Sequence, residues 1–238
     1  MIFAVIVAGG IGSRMGNLGK PKQYINLKDK PIIIHTLEKF FINSEFEKVI
    51  VLCPKNWINH TKDLIKKYIP DPDRVVVLVG GPTRNETIMN SLNYIEKNYG
   101  LDEDTIVVTH DSVRPFVTSR IINENIEAAL KYGACDTVIC ATDTIIESMD
   151  DKTISRIPNR KYMYQGQTPQ SFKALQLKNL YNSLTAEERD SLTDAAKIFS
   201  IKNIPVHLVK GESYNIKITY PYDLRVANVL LDEDLTHD

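Results

Sequence analysis

The 238-residue sequence lacks the usual marks of a secreted, membrane or nucleic-acid-binding protein. Its three cysteines, Cys53, Cys135 and Cys140, are odd in number and form no CxxC pair. Neither a disulfide framework nor a zinc site is supported. Cys135 and Cys140 lie five apart in one strand-like run and are expected on opposite faces. No apolar run approaches the length of a membrane span, so no membrane partner is expected. The first strand begins at Met1 or Ile2 and leaves no room for a signal peptide, which makes the cytoplasm the expected compartment. Charge of one sign is also missing: 29 Lys and Arg against 30 Asp and Glu leave a net charge of −1. No global field is available to hold DNA or RNA. Repeats and low-complexity segments are absent. What remains is an ordinary globular composition, 43% hydrophobic and 25% charged, long enough to bury the core of one α/β domain with at most a small appendage.

Apolar runs and helical patterns alternate over the first half. Ile2–Val7, Val49–Cys53, Val75–Val79 and Thr105–Thr109 read as strands. Between and after them, Ile32–Phe41, Trp57–Tyr68, Glu86–Tyr99 and Ile121–Tyr132 read as helices. Pro31 suits the first turn of one, and Ile88, Leu92 and Ile95 share a face of another. This rhythm predicts a Rossmann-like, mostly parallel sheet flanked by helices. It then breaks. Asp136–Thr142, Thr144–Glu147, Thr153–Ile157 and Tyr162–Thr168 are short strand candidates without intervening helices, with a turn at Asp150-Asp151. They predict a small extended β-arm leaving the sheet. Leu175–Leu184 and Ala195–Phe199 return to helix, Val206–Val209 is a last short strand, and Tyr222–Leu231 a final helix. The polar tail from Asp232 is expected to fray.

The most informative segment follows the first strand: Val7-Ala8-Gly9-Gly10-Ile11-Gly12-Ser13-Arg14-Met15-Gly16, then Pro21-Lys22-Gln23. Glycines let backbone N–H groups approach an anion, and Arg14 and Lys22 neutralise it. Two familiar nucleotide motifs fail here. A G-x-G-x-x-G fingerprint counted from Gly10 needs glycine where Met15 stands, and a P-loop needs Ser or Thr where Pro21 follows Gly19-Lys20. A glycine turn without a ligand stays open on this loop alone.

Other strand ends supply partners, and ligands of open α/β sheets bind outside the carboxyl ends of the strands. The third strand ends in Gly80-Gly81-Pro82-Thr83-Arg84-Asn85-Glu86-Thr87, the fourth in His110-Asp111-Ser112-Val113-Arg114-Pro115. Converging, they would form a site for a nucleotide triphosphate with Mg²⁺ on Asp111. Each residue also has a structural reading. Asp111 could pair with Arg114 or cap the next turn. Arg84 could be a solvated helix terminus, although a cation there opposes the helix dipole. His110 reads as structural, His35 as a core or boundary histidine. Lys217, in the alternating segment Asn215-Ile216-Lys217-Ile218-Thr219, could be a solvent-facing strand lysine. No Ser-His-Asp or Cys-His arrangement is present.

Taken together these motifs resemble the sugar- and polyol-phosphate cytidylyltransferases of the 2-C-methyl-D-erythritol 4-phosphate cytidylyltransferase superfamily. The Ala8–Met15 loop, Pro21-Lys22-Gln23, Gly80-Gly81 with Arg84, the 110–115 run, Thr168-Pro169-Gln170, Thr193-Asp194 and Asn215–Thr219 follow in the family's order along the whole chain. Within the superfamily the sequence is similar to the ribitol-5-phosphate branch of wall teichoic acid synthesis. Its approach to Thr168, Tyr162-Met163-Tyr164-Gln165-Gly166-Gln167, stands where methylerythritol enzymes often carry a Trp-containing segment.

The resemblance implies a single nucleotidyltransferase domain over 1–238 that uses CTP, a polyol phosphate and Mg²⁺. It implies Arg14 and Lys22 as catalytic residues at the α-phosphate. Val7, Ala8, Gly9, Gly10, Gly81, Pro82, Thr83, Arg84, Asn85, Glu86, Thr87 and Ser112 would bind the nucleotide. Asp111 would hold the metal, and Thr144, Arg160 and Lys217 would position the acceptor. An arm at about 142–162 would pair with a second subunit, making a homodimer in which Arg160 serves the neighbour's site. A reductase forming ribitol 5-phosphate would be a further partner. The alternatives are a methylerythritol 4-phosphate enzyme of isoprenoid synthesis, a CTP-binding regulatory module, and a nicotinamide oxidoreductase. The misplaced third glycine speaks against the last.

Overall fold

Alternating apolar residues decide how this chain layers. In the first strand Phe3 and Val5 face one side, Ala4 and Ile6 the other, and all four are fully buried. A strand buried on both faces needs cover on both. The computed structural model describes residues 1–10, 15 and 19–232. Its elements run β1 (Ile2–Val7), β2 (Asn26–Leu27), β3 (Lys30–Pro31), α1 (Ile32–Phe41), β4 (Lys48–Cys53), α2 (Ile58–Tyr68), β5 (Val75–Val79), α3 (Arg84–Tyr99), β6 (Ile106–Asp111) and α4 (Ser119–Tyr132). Then come β7 (Ala134–Cys140), β8 (Tyr164–Lys173), α5 (Ala174–Asn182), α6 (Ala186–Asp190), α7 (Ala196–Ile201), β9 (His207–Lys210) and α8 (Pro221–Asp232).

Seven strands form one sheet in the order β5-β4-β1-β6-β8-β7-β9. Only β8 runs antiparallel to its neighbours, β6 and β7; the other pairs are parallel. The mostly parallel α/β sheet is therefore as the sequence predicts. Ile33, Leu37 and Phe40 of α1, Ile65 of α2 and Ile122 and Ile126 of α4 pack on the Ala4 and Ile6 face. Ile88, Leu92 and Ile95 of α3, Leu177 of α5 and Ile198 of α7 pack on the Phe3 and Val5 face. A satellite core of Leu27, Ile32, Val113, Phe116, Ile218 and Ala227 fixes α8 beside the β2–β3 ribbon. Gly133 ends α4 in the left-handed region at φ 85°, where glycine carries no Cβ penalty. No described helix is long and apolar enough to cross a membrane.

β1 pairs with β4 on one side and β6 on the other. The chain thus departs in opposite directions from β1, which opens a crevice above the carboxyl ends of these strands. The amino-terminal half of β8 lies beside that crevice, because β8 is antiparallel: Thr109 of β6 is opposite Gln170.

Several elements differ from the sequence reading. Thr144–Glu147 and Thr153–Ile157 are not strands. They meet in one antiparallel bridge, Glu147 to Arg156, around a turn in which the Asp150 carboxylate accepts from the amides of Lys152 and Thr153. A lone hairpin away from the sheet finds no further strands to pair with, which keeps it short. The excursion itself is present, leaving at Ala141, whose amide donates to Met163 O at 2.9 Å. The strand expected over Tyr162–Thr168 begins at Tyr164 and continues through Pro169 to Lys173. Asn215–Thr219 is not a strand either; side chains rather than a ladder pin it. α6 was invisible to periodicity because it is five residues long with no buried side chain, yet its Thr185–Glu188 capping box was readable.

Candidate active site

The crevice contains a cavity of about 320 Å³, lined by Val7, Gly9 and Gly10 after β1, Lys22 and Gln23, Gly81 to Arg84 and Thr87 after β5, Asp111 to Val113 after β6, and Lys217 and Thr219. The strand ends predicted to converge do so. Arg14 lies outside the described residues.

The third strand end is built by α3. Thr83 caps the helix: its Oγ1 accepts from Glu86 N, while Glu86 Oε2 accepts from Thr83 N at 3.0 Å. Glu86 is thereby committed to the cap, and it does not line the cavity. A side chain at Gly81 would place a Cβ 2.7 Å from Glu86 Cβ and 2.9 Å from Glu86 C. Only glycine lets the strand end approach the helix so closely, and Thr87 Oγ1 then accepts from Gly81 N at 2.9 Å. Asn85 is buried and faces away from the cavity, its Nδ2 donating to Asp194 O at 3.4 Å. Ala8 is also buried behind the lining; its carbonyl accepts from Gln23 Nε2 at 2.6 Å. Asn85, Glu86 and Ala8, expected to bind the nucleotide, are not among the residues that line the cavity.

Asp111 closes β6, two residues beyond the point expected to end the strand. Arg84 Nε donates to its Oδ1 at 3.2 Å and Lys217 Nζ to its Oδ2 at 2.8 Å. Arg114 Nε lies 3.8 Å from Oδ2, a charge contact without a hydrogen bond. The structural pairing with Arg114 is therefore real but subordinate. Burial pushes the Asp111 carboxyl up, but Arg84, Lys217 and Arg114 together outweigh it and hold it well below the usual carboxylate range. Arg84 is 20% exposed and turned onto Asp111, not a solvated terminus.

Lys217 lies in no strand, and although its side chain is 41% exposed, its Nζ is paired with Asp111. Its segment is held by Arg114 Nη1 on Asn215 O at 2.8 Å, by Asn215 Nδ2 on Thr168 O at 2.9 Å, and by Ile218 N on Val113 O at 2.9 Å. These contacts aim the lysine at Asp111. Ile218 O accepts from Lys22 Nζ at 2.9 Å, so one residue ties both segments together.

His110 is structural, as its sequence context implied. It is fully buried, and burial lowers its pKa to about 4. Its Nε2 lies 3.0 Å from Arg114 O, a pure acceptor, so Nε2 carries the proton. Its Nδ1 then accepts from Thr168 Oγ1 at 2.9 Å, while that oxygen accepts from Asp111 N at 3.2 Å. His35 is half-buried against Leu27 O at 2.8 Å.

Thr144 and Arg160 stand apart from the cavity within one chain. Both are exposed on the arm, and Arg160 Nη1 donates to Thr142 O at 2.7 Å. The lining residues without an assigned role in the sequence are Gln23, Val113 and Thr219. Gln170 also acts here, its Oε1 accepting from Arg84 Nη1 at 3.2 Å. Gln23, Gln170 and Thr219 each lay inside a quoted motif; the motif marked the region, not the contact.

Among the described residues no group of three or more His, Cys, Asp or Glu could hold a metal, and Asp111 is the one acidic side chain among the described lining residues. That donor set suits Mg²⁺, which is bound through one or two carboxylates together with substrate phosphates. Arg84 and Lys217 occupy two of about four lone-pair directions on the carboxylate, so room for a cation remains.

The sequence pattern of the 2-C-methyl-D-erythritol 4-phosphate cytidylyltransferases (IspD) matches residues 2–233. Among solved structures, the chain is similar to 4-diphosphocytidyl-2C-methyl-D-erythritol synthase of Anaerococcus prevotii, with 29% identity, 98% of this chain and 96% of that one covered, and a TM-score of 0.80. The 2-C-methyl-D-erythritol 4-phosphate cytidylyltransferase of Francisella tularensis is 28% identical over 96% of this chain and 98% of that one, again at 0.80. The Thermus thermophilus enzyme of that name is 26% identical over 98% and 100%, at 0.73.

Proposed function

Since the chain belongs to the 2-C-methyl-D-erythritol 4-phosphate cytidylyltransferase (IspD) family and is a nucleotidyltransferase of that kind, we propose that it moves the cytidylyl group of CTP onto the phosphate of a short polyol phosphate and releases pyrophosphate. One observation carries this reading: Lys22, Arg84 and Lys217 line one cavity with a single carboxylate, Asp111, on which Arg84 and Lys217 bear directly, at the carboxyl ends of β1, β5 and β6. A pocket so rich in cations suits a polyphosphate.

The chemistry asks for little beyond that. A phosphate monoester has its second pKa near ~6 and is mostly ionised at neutral pH. Its oxygen can attack the α-phosphorus without a strong general base, and none stands among the described lining residues. The chain's task is to align two anions and stabilise the charge that builds at phosphorus. Lys22 and Arg14 take that role. The backbone at Gly9, Gly10 and Gly81 receives the nucleotide, with Pro82, Thr83, Thr87, Val7 and Ser112 around it. Lys217 orients the acceptor's phosphate. Mg²⁺ on Asp111 would neutralise phosphate charge when bound.

Of the two acceptors, 2-C-methyl-D-erythritol 4-phosphate has the stronger support, because relatives of 28 and 29% identity across nearly the whole chain carry that name. Ribitol 5-phosphate, the acceptor expected from the sequence, rests on the Tyr-rich segment, where Tyr162 and Tyr164 are exposed near the arm. Incubation with CTP, Mg²⁺ and each acceptor separates them by pyrophosphate release. Turnover confined to ribitol 5-phosphate would reverse this order; none with either would leave a CTP-binding module.

The arm carries Ile146, Met149, Ile154 and Ile157, each more than half exposed. We read it as the homodimer contact, which brings Thr144 and Arg160 to the partner's cavity.

A further inference from the structure

Behind the cavity lies an acid that the reaction does not use. Asp136 of β7 stands opposite Gln170 of β8 in the sheet register, next to an irregularity between Asp136 and Val138. The Gln170 side chain is buried and hydrogen-bonds to the Asp136 carboxyl, while its Oε1 accepts from Arg84 Nη1. A guanidinium only donates and a carboxylate only accepts, so a carboxylate on one side and a guanidinium on the other admit one orientation of the amide. The chain of contacts runs Asp136, Gln170, Arg84, Asp111.

Two atoms of this relay, Asp136 Oδ1 and Arg84 Nη2, are buried and make no hydrogen bond. The acid is thus costly where it stands. Burial drives its carboxyl up to about 7, Asp194 adds to that, and Arg84 pulls the other way. The facing groups are Arg84 on α3, Arg114 after β6, Gln170 on β8 and Asp194 before α7. A half-buried acid with one buried, unpartnered oxygen beside a candidate ligand site points to function rather than stability.

We propose that Asp136 is a positioning residue for the nucleotide: through the Gln170 amide it holds the Arg84 guanidinium against Asp111 at the cavity wall. This rests on the reading of the cavity as a CTP site. Ionised Asp136 holds the amide through a charge-assisted hydrogen bond, and protonation weakens that hold. The relay is therefore engaged at pH 8 and relaxed at pH 6.

The test is equilibrium CTP binding without acceptor, at pH 6 and pH 8, for the wild type, Asp136→Asn, Gln170→Leu and the double variant. Each single variant should weaken binding about 3- to 10-fold at pH 8, with the double no weaker than the weaker single, because the two act through one path. The wild-type advantage over Asp136→Asn should collapse toward unity at pH 6; CTP's own titration is common to both and cancels. A purely structural acid would leave that ratio unchanged with pH. Additive losses, or a ratio independent of pH, overturn the proposal. If Asp136→Asn does not fold, Gln170→Leu decides alone: the pH-dependent part of CTP affinity should shrink relative to the wild type, and its retention overturns the relay. Absence of CTP binding by the wild type would overturn the CTP-site reading itself, an outcome distinct from unchanged variants.

Discussion

Single side chains set the charge of this site. Lys22 lines the cavity with its Nζ on Ile218 O. Its replacement by alanine should lower turnover by roughly 10²–10³, the scale of losing one preorganised donor, with a smaller effect on CTP affinity in steady-state kinetics. Asp136 predicts a stability effect of definite sign. Its folded pKa, about 7, exceeds the ordinary carboxylate value near 4. The folded state therefore holds the proton more tightly, and its favourable contribution is complete below about pH 4 and lost as pH rises through 7. Asp136→Asn should gain stability relative to the wild type between pH 5 and pH 8, by at most about 4 kcal/mol, seen as a widening difference in denaturant midpoint. Most of the residues here were legible as motif members. Their partners were not: the ion pair between Arg84 and Asp111 spans 27 positions of sequence, and no local pattern encodes it.

Elements deliver those side chains. β6 and α3 were readable from apolar runs, yet the ends that line the cavity were each misjudged by two residues. Strand β6 includes Asp111, and α3 starts at Arg84 because Thr83 and Glu86 form a capping box. Thr83→Ala should cost about 1 kcal/mol of stability by loss of that cap, measured by thermal or urea unfolding, and should raise the CTP KM by displacing Arg84. The arm shows the opposite error. Alternating residues at Thr144–Glu147 and Thr153–Ile157 met the strand pattern, but a strand needs a partner, and only Glu147 and Arg156 found one. Asn215–Thr219 repeats the lesson, since its alternation serves a core contact at Ile218 and a cavity contact at Lys217.

At the scale of the whole molecule, one chain assembles the cavity and leaves Thr144 and Arg160 exposed elsewhere. If the arm pairs two subunits, each site draws Arg160 from its neighbour. Lys22→Ala and Arg160→Ala proteins, each poorly active, should then regain activity on mixing and subunit exchange, to about a quarter of wild type for random pairing of a two-fold dimer. A site completed within one chain gives no recovery. Arg160→Ala alone should chiefly raise the acceptor KM.

The amino-acid sequence by itself determined the α/β class, the main strands and helices of the first half, and which strand ends carry glycines, cations and an acid. Those follow from periodicity and from the narrow conformational range of each residue type, both local properties. Only the tertiary structure decided that β8 runs antiparallel beside β6, which sets Thr168 against His110 and Asp111, Gln170 against Arg84, and Asp136 behind them. Pairing across a sheet brings together residues far apart in the chain, and burial there changes what a carboxylate does. Asp111 is held ionised by three cations, while Asp136, two strands over, is pushed toward its proton.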